Sequence, residues 1–202
     1  MKSFKGTKDG VPFEDTQYPV ESIAELSRQG IPDLVALLSS PNPTISALSI
    51  LSAQLDGAVL MGHSQAGAFP LGTALLKPDM VRAMMLIEPG SCSPDTWTDE
   101  QIAVFAKIPL LVVDGDHLDA PTYLPVGTPG WQARFDGCER FIARVRKANG
   151  QADMLHPPRL GIHGNSHMIM QDKKNLQIAD LITKWLDAQT NEMLHKQTSL
   201  LR

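Results

Sequence analysis

The feature that most constrains this chain is the stretch 56–70, DGAVLMGHSQAGAFP. A short apolar run, AVLM, breaks at once into GHSQAG, and a segment with helical character follows. A buried strand that turns sharply into a helix, with a serine at the break, is the sequence form of a nucleophile elbow. Strand and helix pass close together at such a turn, so the residues two before and two after Ser64 must be small, as Gly62 and Ala66 are. The pattern is short, and an ordinary strand–turn–helix with a surface serine is the alternative.

Length and composition favour a single soluble domain, 1–202, with an irregular opening over 1–18. The chain has 202 residues, 43% of them hydrophobic and 20% charged, which suits one globular domain with a sizeable core. The net charge of −4 offers no basic face for nucleic acid and no basic run for a membrane surface. The most apolar window, 45–61, is interrupted by polar residues and too short to span a bilayer.

The termini and cysteines say little about compartment. The opening MKSFKGTKDG carries lysines without an apolar run after them, so we expect no signal peptide and leave the localisation unknown (cytoplasmic as the chain stands). Two cysteines, Cys92 and Cys138, are too few for a disulfide framework. They form either one bridge or two free thiols.

Hydrophobic periodicity divides the chain into alternating helices and strands. Helices are predicted over 20–29, 31–38, 45–54, 66–76, 101–106, 131–149 and 175–194, and strands over 58–61, 81–87, 108–113 and 152–155. Thr44 is the predicted N-cap of the third helix. Continuous apolar strands that alternate with helices predict an α/β fold, with a parallel sheet covered by helices on both faces.

Chemistry-bearing residues follow each predicted strand, at the edge of a parallel sheet where active sites lie. They are Ser64, Glu88, Asp116, Asp119, His163 and His167. A serine needs a histidine to take its proton and an acid to orient that histidine, and the chain order Ser, acid, His fits such a triad. His167 opens onto the final helix and is the predicted base. A His-x-x-x-His metal site would need a helix between His163 and His167, which Gly164-Asn165 disfavours, so no metal is expected.

Position in the sequence alone does not decide which residue is the acid of the triad. Asp119 follows the third predicted strand, whereas Glu88 stands directly at the end of the second, where it is also a plausible strand-end cap. His63, beside the serine, is interpreted as a packed elbow residue. The aromatic residues Trp97, Tyr123 and Trp131 are expected over the site, either lining an acyl or alcohol pocket or only anchoring the loops.

Four motifs in order, GHSQAG, LIEPG, VVDGDH and GIHGNSHMIMQD, resemble a group of bacterial and fungal α/β-hydrolases that are serine esterases. The resemblance covers about 19–188. In that group the acid is a glutamate immediately after the strand that follows the nucleophile. The resemblance therefore implies Ser64 as nucleophile, His167 as base and Glu88 as acid, with Asp119 as the alternative acid and the Gln65 backbone N–H as an oxyanion donor.

The expected activity is hydrolysis of small carboxylic esters through an acyl-enzyme, without cofactor or metal. Amidase, lactonase and thioesterase activities use the same triad and stay open. Relatives of this kind are often secreted and carry an N-terminal portion with strands that we do not find before residue 56. The elbow strand is therefore expected at an open sheet edge, a template for a homo-oligomer. The alternative is a truncated, inactive remnant that acts only as an association partner.

Overall fold

A four-stranded parallel sheet forms the centre of the protein, seen in a computed structural model that describes residues 5–8, 11–28, 41–122 and 127–200. The strands are β1 (Thr7–Lys8), β2 (Val11–Pro12), β3 (Ala58–His63), β4 (Val81–Ile87), β5 (Leu110–Val113) and β6 (Ala152–Leu155). The helices are α1 (Ile23–Arg28), α2 (Pro43–Gln54), α3 (Phe69–Leu76), α4 (Asp99–Phe105), α5 (Trp131–Lys147) and α6 (Asn175–Leu200).

The sheet runs in the order β3-β4-β5-β6, and every neighbouring pair is parallel. Parallel neighbours need a crossover between them, and helices α3, α4 and α5 supply the three crossovers in turn. All four carboxyl ends therefore meet at one edge of the sheet. The predicted α/β class, with its parallel sheet, is confirmed.

Alternation along β4 divides the core between the two faces of the sheet. Leu86 belongs to a buried cluster with side chains of α3, α4 and α5, represented by Leu71, Phe105 and Phe141. The next residue, Ile87, belongs to a second cluster that includes Ile178 of α6 and faces the other way. Strands buried on both faces are apolar throughout, which is why the sequence showed continuous runs.

Helix α2 begins at Pro43, and its N-cap lies two residues before the predicted one. Asn42 is the N-cap, its side chain accepts a hydrogen bond from the Thr44 backbone N–H at 2.9 Å, and Pro43 occupies the first helical turn. The prediction of Thr44 was wrong because proline, which lacks an N–H, is well suited to the first turn. The preceding predicted helix, 31–38, lies outside the described residues.

The helix predicted over 66–76 is divided in two. A 3₁₀ turn over Ser64–Ala68 follows β3 directly, and the α-helix begins only at Phe69, with Pro70 in its first turn. Proline has no N–H to donate to an earlier carbonyl, so it is tolerated at a helix start. The helix predicted over 20–29 likewise opens with a 3₁₀ turn, Val20–Ser22.

The opening segment packs over the carboxyl ends of the strands. It contains a two-residue antiparallel ladder, β1 with β2, within the region expected to be irregular. The Phe13 ring stacks on His117 with 3.8 Å between ring centroids, and the Gln17 N–H donates to the Gly164 carbonyl at 2.8 Å. Contacts this far apart in sequence leave no periodic pattern, so sequence analysis had no means to find them.

Cys92 and Cys138 form a disulfide, with 4.9 Å between their Cα atoms. The bridge ties the loop after β4 to α5 and decides the alternative that composition left open. Among the helices of the described part of the chain, none has the length and apolar character needed to cross a lipid bilayer.

Candidate active site

Ser64 occupies the sharp turn between β3 and the helix. Its φ of 57° lies in the left-handed region, which a non-glycine residue adopts rarely and at a cost of about 1–3 kcal/mol. A Cβ built on Gly62 would lie 2.2 Å from the Ala66 carbonyl oxygen, and one on Gly67 would lie 2.8 Å from Pro89 Cβ. The small residues thus permit the close approach that the elbow pattern requires.

The imidazole of His167 contacts the serine, with 2.8 Å between Nε2 and Ser64 Oγ. Two neighbours hold the loop that carries it. Asp172 accepts hydrogen bonds from the Ser166 hydroxyl at 2.6 Å and from the Ser166 N–H at 2.8 Å. The His63 ring donates from Nε2 to the His167 carbonyl at 2.7 Å, so His63 has the packed, hydrogen-bonded role expected of it.

Glu88 lies on the other side of the same imidazole. Its Oε2 is 3.1 Å from His167 Nδ1, and its second oxygen accepts a hydrogen bond from the Gly115 backbone N–H. The residue directly follows β4, has a φ of 45° and is only 1% exposed. A carboxylate so placed favours the His167 tautomer with its proton on Nδ1, which leaves Nε2 free to accept the serine proton.

The carboxylates after β5 lie elsewhere. Asp119 is exposed on the surface, whereas the described side-chain partners of the His167 ring nitrogens are Glu88 and Ser64. Asp116 accepts hydrogen bonds from His163 Nδ1 and from the Gly164 N–H, both at 3.0 Å. The structure therefore brings Glu88, and not either aspartate, to the catalytic imidazole candidate.

Two charged residues at the site were missed by sequence analysis. Lys5 is 1% exposed, with its Nζ 2.8 Å from Glu88 Oε2, and it also forms a short ion pair with Asp114. Asp114 carried a usable signal, because it follows β5 at the carboxyl edge beside Glu88. Lys5 carried none, since it lies within the segment 1–18 that has no periodic pattern.

Burial and these ion pairs shift the pKa values of Glu88 and Asp114 in opposite directions. Burial by itself raises the pKa of Glu88, but the Lys5 ammonium and the hydrogen bond from His167 together outweigh it and lower the pKa to about 2. Burial and the nearby Glu88 carboxylate raise the pKa of Asp114 to about 7, against the opposing effect of Lys5. Burial lowers the pKa of His63, which favours its neutral ring. Glu88 is thus ionised at neutral pH.

The Gln65 backbone N–H, directly after the serine, is the predicted oxyanion donor. Gln65 follows Ser64 as the second residue of the 3₁₀ turn and is exposed. The first N–H groups of a helical segment have no carbonyl partner within it and carry partial positive charge. The Gln65 N–H can therefore donate to an oxyanion that forms next to Ser64 Oγ.

The tryptophans near the site have different surroundings. The ring of Trp131, at the start of α5, lies 4.8 Å from the His167 ring between centroids. Trp97 donates from Nε1 to the Cys92 carbonyl at 2.9 Å and packs edge-on against Phe105, as expected of a loop anchor. Tyr123 lies outside the described residues.

The metal alternative for the two loop histidines gains no geometric support. His163 contacts Asp116, whereas His167 contacts Ser64 and Glu88. One group within the described ranges has metal-ligand spacing: Asp15, Asp116 and His117, whose ligand atoms lie within 4.8 Å of one another. That group contains neither of the two histidines that were considered.

Comparison with solved structures gives a strong match. A structure described as that of a novel bacterial esterase superimposes with a TM-score of 0.82 at 40% sequence identity, covering 93% of this chain and 56% of that one. The chain is similar in fold to an esterase. It spans little more than half the length of that protein.

Two further structures match more weakly. A thermophilic esterase has a TM-score of 0.46 at 14% identity, covering 72% of this chain and 73% of that one. A thermostable esterase has a TM-score of 0.41 at 13% identity, covering 67% and 35%. No protein-family model matches the sequence, and the comparison with curated proteins found no match.

Proposed function

We propose that the chain is a serine hydrolase of small carboxylic esters that works through an acyl-enzyme. The observation that carries the proposal is the continuous hydrogen-bonded series from Ser64 Oγ through the His167 ring to Glu88 Oε2, with distances of 2.8 and 3.1 Å. The likeness in fold to a bacterial esterase supports an ester as substrate. No cofactor or metal takes part in the proposed chemistry.

In the acylation half, Ser64 Oγ attacks the ester carbonyl carbon while its proton passes to His167 Nε2. Glu88 stabilises the imidazolium that forms, and the Gln65 N–H donates to the tetrahedral oxyanion. The carbonyl then re-forms as the bond between the acyl carbon and the alkoxy oxygen breaks, and His167 gives its proton to the leaving alkoxide. The products are an alcohol and the acyl group on Ser64.

In the deacylation half, water replaces the alcohol. His167 Nε2 takes a proton from the water as its oxygen attacks the acyl carbon, and a second tetrahedral oxyanion forms on the same donor. Collapse breaks the bond to Ser64 Oγ, and His167 returns the proton to the serine. The carboxylic acid leaves and the resting site is restored.

The test is hydrolysis of a short-chain p-nitrophenyl ester by the purified chain beside Ser64→Ala. We expect the variant to lose at least about three orders of magnitude in kcat, because removal of a triad nucleophile abolishes the covalent route. Ser91→Ala is a matched control, since Ser91 is exposed and its hydroxyl contacts Ser93. Folded protein with no activity above that of Ser64→Ala would overturn the proposal.

One observation favours a second function, that of an association partner without catalysis. The strand that leads to Ser64, β3, is the outermost of the four-stranded sheet in the described part of the chain. An oxyanion hole of this type takes its second N–H from an earlier strand–helix loop, and loss of one donor costs about 10²–10³ in kcat. Equal rates of ester hydrolysis in the parent chain and in Ser64→Ala, together with self-association in sedimentation, would support this function instead.

A further inference from the structure

Lys5 is fully enclosed although it carries a charge. Its side chain is 0% exposed, and its Nζ lies 2.8 Å from Oε2 and 3.1 Å from Oε1 of Glu88. It also donates to Asp114 Oδ1 and lies 5.0 Å from the centre of the Trp131 ring. A buried ammonium costs several kcal/mol unless it is paired, so its position depends on the two carboxylates.

The sheet itself brings the two carboxylates together. The register pairs Ile87 of β4 with Val113 of β5, so the next residues, Glu88 and Asp114, emerge side by side at the carboxyl edge. Both are buried, at 1% and 3% exposure. Two enclosed carboxylates this close do not both ionise without a counter-charge, and they share a proton instead.

A proton on Glu88 would weaken what the acid does for the imidazole. Only the carboxylate stabilises the imidazolium that forms at His167 when Ser64 loses its proton. The site therefore needs a cation that compensates the negative charge of Asp114 and leaves Glu88 in contact with His167.

We propose that Lys5 is a positioning residue: by forming ion pairs with both Glu88 and Asp114, it holds the Glu88 carboxylate against His167. This inference rests on the proposed function of Ser64, His167 and Glu88. Lys5 acts through Glu88 and does not touch the reacting atoms.

The chain segment around Lys5 is built to keep it in place. Lys5 has a φ of 51°, in the left-handed region, so its backbone conformation is held by surrounding contacts rather than by its own preference. The next residue, Gly6, accepts a hydrogen bond from the Phe13 N–H at 3.1 Å, and the β1–β2 ladder lies between them. Phe13 in turn stacks on His117.

The pH behaviour of the cluster involves the titratable groups that surround it in the described part of the chain. Those that act on Glu88, on Asp114 or on Lys5 are His63, Arg134, His156, His167 and Asp172. Lys5 is the cation in direct contact with both carboxylates. Its loss would raise the pKa of Glu88, which moves the acid limb of the kcat profile to higher pH.

The kinetic test compares Lys5→Met with Lys8→Met, which removes an exposed charge from the same segment. We expect Lys5→Met to lower kcat by between about tenfold and a hundredfold with little change in KM, less than the ~10⁴-fold loss expected from removing the acid. The acid limb should move to higher pH, and Lys8→Met should behave as the parent chain does.

A second substitution separates positioning from mere stabilisation. In Lys5→Met/Asp114→Asn the competing carboxylate is gone, so Glu88 no longer shares a proton with it. We expect the double variant to recover at least about tenfold in kcat and to return its acid limb toward that of the parent. A purely structural lysine predicts no such recovery. Wild-type kcat and pH profile in folded Lys5→Met would overturn the inference.

A measurement without turnover keeps this inference distinct from the proposed function. The Nδ1 proton of His167, hydrogen-bonded to Glu88, is followed by ¹H NMR in the parent chain, in Lys5→Met and in Asp114→Asn, a variant that keeps the lysine. We expect its downfield resonance to move or broaden near neutral pH only in Lys5→Met. If the parent chain is inactive but the resonance changes in Lys5→Met, the esterase proposal is refuted and the role of Lys5 is retained. If the parent chain is active but the resonance is unchanged in Lys5→Met, the role of Lys5 is refuted and the esterase proposal is retained.

Discussion

Strands β3 and β4 are neighbours that carry the two ends of the candidate triad, yet their surroundings differ. In β4 every residue except Arg82 is buried, and strands lie on both sides of it. In β3 the side chains of Val59 and Met61 are exposed, the latter at 59%. Helix α2, which precedes β3, adds exposed Ile50 and Leu51 and contains no charged residue.

The difference teaches that the acid end of the site is self-contained and the serine end is open. Glu88 is held by Lys5 and by Gly115 after β5, and it opens the loop that the Cys92–Cys138 bridge ties to α5. Ser64 follows the strand that is outermost in the described part of the sheet, and an outer strand edge favours pairing with another chain.

The largest expected effect is on activity at the end of β4. Glu88→Gln should lower kcat/KM for a p-nitrophenyl ester by about 10³–10⁴, because the amide supports the wrong imidazole tautomer. Asp119→Asn, at an exposed site, should change it by less than about twofold. The reverse result would transfer the acid role to Asp119.

The next effect is on stability and contrasts the two strands directly. Leu86→Ala should lower the free energy of unfolding by about 3 kcal/mol, since Leu86 is 0% exposed in the core on β4. Met61→Ala should change it by only about 0.5 kcal/mol, because that side chain lies on the exposed edge. Urea denaturation at low protein concentration measures both. Equal losses would show that β3 is covered as β4 is.

The smallest expected effect is a change in self-association at the outer edge of β3. We propose that a second copy pairs with this edge, and Met61→Lys should then shift sedimentation toward the monomer, since edge lysines oppose strand addition. The unfolding free energy should stay within about 0.5 kcal/mol of the parent. Lys8→Met serves as the control for a charge change elsewhere. A parent chain that sediments as a monomer at all concentrations would contradict the pairing.

Local patterns made much of the fold predictable. Largely apolar stretches predicted β4 and β6 with the observed bounds, and the Gly62-to-Gly67 pattern predicted the turn at Ser64. The acid needed more than pattern, because Glu88 was preferred mainly on resemblance, and the catalytic roles remain predictions. Proline chemistry corrected details such as the N-cap of α2, where Pro43 takes the first turn.

The sequence by itself determined the alternation of strands and helices and the chain order of serine, acid and histidine, because periodicity and short motifs depend on neighbours in sequence. Tertiary structure alone decided which carboxylate meets His167, that Cys92 joins Cys138, and that Lys5 lies between Glu88 and Asp114. These contacts join residues 46 to 109 positions apart. Such pairings are fixed by sheet register and by the burial of charge, which act only once the chain has folded.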